Sequence, residues 1–412
     1  MKKQIKIKRY GSIYGKKPDR RTAAIKKCAG TVLVLAALAF AGWSLYPPVA
    51  RLFAGIGERI AGEEAPSRDV STAPDAPAPA AAEPEPQPEP KPALSGVYAP
   101  PAVVNDPVAF RNLIESAKQG GINAVMIDAK NAEGEVLYQS EVPMAVGGGA
   151  VVAGAYDAAA MAKRISAEGF VPVARIHAFR DSIAPRFSRD AAVGYFDTEW
   201  SWLDNSVELG GKPWLNPYSK EARDYLSAIV EELSESGFER IIVDSVQFPS
   251  GVGLDKAGYG DTGGVSKSDC LRSFLGELEA SAKPSGTVVS VYFSGPNALS
   301  DNELLYGGRA LSLVNASAAV GMMPAAFSKD SVIGGETVAD PSADYPATVR
   351  AVANAAKSGI ADEAELIGVL QANDAAGNPL AAAELQKQIR ALRESGVENM
   401  ILYHPNGTYP FS

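Results

Sequence analysis

Asp244 closes the run FERIIVD (238–244), in which Ile241, Ile242 and Val243 are β-branched and read as a buried strand. A buried strand that ends on a carboxylate delivers a rigid acid to whatever lies beyond its tip. Two further acids stand in comparable places: Asp128 ends INAVMID (122–128), and Asp181 follows FVPVARIHAF (170–179) by two residues. Two carboxyl groups in unlike surroundings, one protonated and one ionised, are what cleavage of a glycosidic bond uses. Asp244, Asp128 and Asp181 are therefore the candidate catalytic acids. Each has a plainer reading. Asp244 could cap the next loop or pair with Arg175. Asp128 could bond loop amides or Lys130. Asp181 could cap the turn at 182–187, or pair with Arg175 or Arg180.

Polar and aromatic side chains fall at the other strand tips and in the loops beside them. They are Arg175 and His177, then Trp214, Asn216 and Tyr218, then Gln247, Tyr292, Gln371, Tyr403 and His404. Aromatic faces stack on the C–H surface of a sugar ring, and acids and amides bond its hydroxyls. These ten are the candidate substrate-binding residues. His177 also reads as a hydrogen-bonded strand histidine, and Trp200 and Trp202 as anchors of a long loop.

The elements that must position these groups are regular. Strand-like runs fall at 96–99, 122–128, 170–179, 238–244, 287–293, 317–323, 364–371 and 398–404. Helical patterns lie between them at 106–119, 157–168, 219–236, 266–282, 345–356 and 381–393, with a shorter one near 302–310. Ser219 is placed to cap its helix and Gly237 to stop it. Strict alternation implies a parallel sheet, and eight repeats over this length fit a closed (β/α)8 TIM barrel. An open doubly wound sheet is the alternative, but no glycine-rich phosphate loop follows the first strand. Gly147, Gly148 and Gly149 read as a flexible loop. In a barrel the site forms at the C-terminal strand ends, which is where the candidate residues fall.

Composition narrows the chemistry. The chain has 412 residues and a net charge of −9, unevenly spread. Residues 1–27 hold eleven Lys and Arg against one acid, whereas 96–412 carry about −15. An acidic main body argues against nucleic acid as a partner and suits a neutral or cationic substrate. Two cysteines and two histidines give no disulfide framework and no His- or Cys-based metal site. Neither a metal nor a cofactor is expected.

Residues 28–46 are uncharged and mostly apolar, close to the about 20 residues that span a bilayer. The basic segment 1–27 before them predicts a cytoplasmic N-terminus, with the rest of the chain outside. A cleaved leader ending near Ala41 is the rival reading. Residues 47–95 read as a disordered linker, with nine prolines between Pro66 and Pro92. The expected domain is 96–412.

Five segments carry a resemblance: ARIHAFRD (174–181), PWLNPYS (213–219), GFERIIVDSVQFP (237–249), VVSVYFSG (288–295) and MILYHPNGTY (400–409). Together they resemble a bacterial glycoside-hydrolase-like barrel family of otherwise unknown function, distantly similar to α-amylase-type barrels. Its pattern reads roughly ARIVVFKD, WVDPYS, FDEIQFDYVRFP, SADVFG and YPSHY. The resemblance spans about residues 96–409. It implies a presumed catalytic acid at Asp244 and matches Arg175, Asp181, Trp214, Pro217, Tyr218, Phe248, Pro249 and Gln371. The sequence departs from the pattern at Asn216, where the family has an acid, and at Ser245 for tyrosine and Gln247 for arginine. Tyr292 replaces an aspartate, and the run from Met323 to Phe327 replaces YPSHY.

Two functions compete. One is a membrane-anchored, extracytoplasmic glycoside hydrolase acting on a cell-envelope or environmental polysaccharide. The other is a catalytically inactive glycan-binding or scaffold protein of the same descent. A metal-dependent hydrolase barrel would need more histidines than the chain has.

Overall fold

The computed structural model describes residues 92–411. The expected basic segment, apolar span and all but the end of the linker lie outside these residues.

Eight parallel strands close on themselves. They are β1 (Ser95–Ala99), β2 (Ala124–Lys130), β3 (Val171–His177), β4 (Arg240–Asp244), β5 (Val288–Ser294), β6 (Ser317–Met322), β7 (Glu365–Gln371) and β8 (Asn399–Tyr403). β1 pairs with β2 through Val97↔Val125 and with β8 through Val97↔Leu402, so no edge remains. Six helices cover the outside: α1 (Pro107–Gln119), α2 (Ala158–Ala167), α3 (Lys220–Glu235), α4 (Lys267–Ala282), α5 (Tyr345–Lys357) and α6 (Ala382–Glu394). This is the closed barrel, not the open sheet. Ser219 caps α3 by accepting from the Ala222 N–H, as its position predicts.

Strand alternation sorts the side chains into two apolar layers. Val125, Ile127, Ala174, Ile176, Ile241 and Val243 face the helices. Tyr98, Met126, Val173, Ile242, Val369 and Ile401 fill the interior, with Tyr292, Met323 and Tyr403 packed on them. At the bottom, the first residues of four strands interlock. Arg240 donates twice to Glu365, at 2.6 and 2.8 Å, and Ser317 and Asn399 also donate to Glu365, at 2.9 and 3.0 Å. This end is sealed by a polar plug, which leaves the C-terminal end as the open one.

Three elements differ from the expectation. The folded part starts earlier than residue 96: Leu94 is buried and its N–H donates to Asn399. β5 runs straight into a short helix, Gly295–Leu299, instead of a helix near 302–310; a small hairpin joins 301–302 to 308–309 there. β2 runs two residues past Asp128 to Lys130. It then pairs with Val136–Tyr138, which in turn pairs with Val151–Tyr156, adding two strands on the outside of the barrel.

Among the described residues no helix follows β8. The tail turns back instead, and the Tyr409 hydroxyl donates to the Tyr98 carbonyl at 2.8 Å and accepts from the Tyr98 and His404 N–H groups.

Candidate active site

The open end holds a small cavity of about 180 Å3, lined by Met126, Arg175, Ile242, Asp244, Tyr292, Met323, Val369 and Tyr403. That is below the about 300–1,000 Å3 of drug-sized ligand sites. The floor is apolar, and Arg175, Asp244 and the tyrosine hydroxyls supply the polar groups.

Asp244 is the last residue of β4 and points inward, two positions beyond Ile242. Its side chain keeps a fifth of its surface open, so a ligand can reach it. Burial pushes its carboxyl above the ordinary range; Arg175, the Ser245 N–H and hydroxyl, and Arg180 pull the other way without cancelling the rise. The next residue, Ser245, has φ +58°, in the left-handed region that residues other than glycine avoid. This turn is held from β3, since the N–H groups of Ala178 and Phe179 donate to the Asp244 and Ser245 carbonyls.

Arg175 stands one strand away and joins the other inward acid. Its Nε lies 3.3 Å from Asp128 Oδ1, and the Tyr98 hydroxyl donates to Asp128 Oδ2. Tyr98 stacks on Tyr403 with centroids 4.7 Å apart, and the guanidinium lies over both rings at 5.6 and 5.9 Å. Asp128 is thus an acid of the interior, ion-paired with Arg175 rather than with Lys130. Burial and Asp128 together push the Tyr98 phenol up, so it stays a proton donor.

His177 is buried beside this pair. Burial, then Arg175 and Lys130, push its imidazole down to about 3, so it is neutral. Its Nδ1 is 3.8 Å from Asp244 Oδ1, too far for a direct hydrogen bond. Tyr292 faces the cavity from β5, where the family pattern has an aspartate. Its hydroxyl fills the space over Gly321, where any Cβ would lie 2.6 Å from the oxygen.

The other candidates fall elsewhere. Asp181 is fully buried in an ion pair with Lys130 at 2.8 Å and accepts from the N–H groups of Ile183 and Ala184, closing the turn ahead of Ala184–Phe187. It does not line the cavity, which corrects its placement among the reacting acids. A bulge after Asp128 turns Lys130 to this side of the strand, a reversal that simple alternation does not foretell. His404 follows inward-facing Tyr403 and so faces away from the cavity, packed edge-on to Tyr409. Gln371 clamps two loops, accepting from the Ala325 N–H and donating to the Asn373 carbonyl. Gln247 accepts from the Tyr306 hydroxyl. Trp214 is buried with Trp202 and Val193 in a loop core, so it offers no stacking face, whereas Trp200 is exposed.

Asn216 and Tyr218 line a different feature, an open groove of about 1,130 Å3 outside the strand tips. Its walls carry Tyr195, Phe196 and Tyr259 together with Asp190, Asp197, Glu199 and Asp261. This groove is larger than the cavity, but none of the barrel's inward acids lines it. Sequence reasoning passed over Tyr98, Met126 and Val369, and met Ser245 and Met323 only as departures from the family pattern. Alternation from Asp128 would have found Met126, and alternation from Gln371 would have found Val369; nothing local signals the turn at Ser245.

Fold and site together define a TIM barrel with a carboxyl-bearing mouth. The chain belongs to the DUF4015 family, "Putative glycosyl hydrolase domain", which matches residues 96–409. No curated protein matches it. Among solved structures it is similar to the PgaB (BpsB) glycoside hydrolase domain from Bordetella bronchiseptica, at 17% identity and TM-score 0.54, covering 77% of this chain and 95% of that one. A hypothetical protein from Ruminiclostridium thermocellum is 26% identical, with TM-score 0.42, over 47% of this chain and 96% of that one. The catalytic domain of β-amylase from Paenibacillus polymyxa is 13% identical, with TM-score 0.47, over 76% and 92%. The first of these supports the fold.

Proposed function

We propose that the protein is a glycoside hydrolase, tethered to the cell membrane by residues 28–46 with the barrel outside, acting on an envelope or environmental polysaccharide. In this reading Asp244 is the protonated acid that gives its proton to the glycosidic oxygen. Asp128, paired with Arg175 at 3.3 Å, is the second carboxylate. Arg175, Tyr292 and Tyr403 hold the ring. The observation that carries the proposal is the unlike pair itself. Two inward acids flank Arg175 at the open end of a closed barrel, and burial raises the one that lines the cavity. Trp214, Gln247, Gln371 and His404 act in loop structure, Asn216 and Tyr218 in the outer groove, and His177 behind the acids, none of them on the reacting ring.

A second reading, a glycan-binding protein without turnover, is favoured by one fact: Asp244 is the one carboxylate that lines the cavity among the described residues. The larger aromatic groove would then hold the polymer. The test is a panel of cell-wall and environmental polysaccharides, followed by reducing-end release and by binding. Release of reducing ends supports hydrolysis; binding without release across the panel overturns it in favour of the second reading.

A further inference from the structure

Four side chains beside the cavity form a directed chain of hydrogen bonds. Arg175 Nη2 lies 3.0 Å from His177 Nε2, His177 Nδ1 lies 2.9 Å from Ser245 Oγ, and Ser245 Oγ lies 3.3 Å from Asp244 Oδ1. Guanidinium nitrogens only donate, so His177 Nε2 must be the accepting, unprotonated nitrogen. The ring proton is then on Nδ1 and points at Ser245 Oγ. With that lone pair used, the serine hydroxyl hydrogen is free, and Asp244 Oδ1 is the acceptor within reach. We propose that His177 and Ser245 are positioning residues: Arg175 fixes the histidine tautomer, the histidine turns the serine hydroxyl toward Asp244 Oδ1, and the carboxyl proton is thereby left to Oδ2. This rests on the reading of Asp244 as the reacting acid, although the hydrogen bonds exist whatever the substrate.

Two features support a built device over a chance contact. Ser245 holds the left-handed turn that brings its hydroxyl back toward both partners, a strained conformation for a residue other than glycine. The turn is also pinned from the end of β3, where the Ala178 and Phe179 N–H groups donate to the Asp244 and Ser245 carbonyls at 2.8 and 3.2 Å. The charged groups facing the pair are Arg175 and Arg180 from the β3 side and Lys130 and Asp128 from β2, with Tyr292 and Tyr306 facing Asp244.

The chain has two histidines, so the test is direct. In the full chain labelled with 15N-histidine, His177 is expected as the neutral Nδ1–H tautomer down to about pH 3. His404 accepts from the Asn406 N–H at Nδ1 and should be the opposite tautomer, Nε2–H. His404→Gln assigns the two signals. The 13C titration of the Asp244 carboxyl, assigned with Asp244→Asn, then reads the far end. Ser245→Gly suits the turn and lacks the hydroxyl, so it should move the midpoint up by about 0.5–1 pH unit. His177→Phe should do the same, and His177→Asn, which keeps an acceptor and a donor, should restore most of it. An Nε2–H tautomer at His177, or an Asp244 midpoint unmoved in Ser245→Gly, overturns the proposal. Neither measurement needs turnover, so this inference can fail while the hydrolase reading stands, and the reverse.

Discussion

Burying a titratable side chain beside others ties stability to pH and to partners, and two residues near the site make this measurable. His177 has its folded-state value pushed from 6.5 down to about 3. Between those values the unfolded chain binds the proton and the folded one does not. Its contribution is fully present above about 6.5 and is lost as pH falls toward 3, with a slope of up to about 1.4 kcal/mol per pH unit. Asp244, raised by burial, acts in the opposite sense, its contribution being lost as pH rises above the ordinary carboxylate range. Comparing urea unfolding of wild type and His177→Asn across pH 3–7 should therefore flatten the histidine part alone; identical slopes would show that His177 charges in the folded state. Lys130 and Asp181 form a fully buried pair at 2.8 Å. Removing one partner strands a charge, so Lys130→Ala should destabilise the barrel by about 3–5 kcal/mol in urea unfolding. A loss below 1 kcal/mol would mean that water reaches Asp181.

All eight strands could be read from β-branched and apolar runs bounded by glycine or polar residues. The place of Asp244 at the tip of β4 followed from the β-branched run that precedes it. What could not be read depends on contacts distant in the chain. The bulge after Asp128 sends Lys130 to Asp181, and nothing in INAVMIDAK announces it. The positive φ at Ser245 sits on a residue type with no preference for it. His404 and Trp214 looked like rim groups because they follow strands, yet one faces away from the barrel interior and the other is sealed in a loop core. Strand order has a chemical consequence as well. β2 and β4 flank β3, which puts Asp128 and Asp244 two interstrand steps, about 10 Å, apart at the backbone. Carboxyls reaching inward from there fall nearer the about 6.5–9.5 Å of an inverting pair than the about 5–5.5 Å of a retaining one. Proton NMR of the first-formed product should find the inverted anomer; a retained anomer would break the pairing of these two acids.

The molecule joins an acidic barrel to a basic, apolar N-terminal stretch, and the proposal that it is tethered has its own test. Full-length chain should sediment with membranes through a high-salt wash, while a chain starting at residue 88 should stay in solution, folded. Recovery of a soluble product cleaved near residue 41 would favour the leader reading. The polar plug at the bottom of the barrel and the tail strapped by Tyr409 leave one open end, so chemistry has one place to occur. If Asp244 supplies a proton there, losing it removes the about 10²–10⁴-fold that a general acid contributes. The decisive measurement is kcat for Asp244→Asn against wild type on a polysaccharide from which the wild type releases reducing ends, with binding followed in parallel. A fall of about 10²–10⁴-fold in kcat with affinity little changed is the expected result. Turnover equal to wild type would contradict it and remove Asp244 from the reaction.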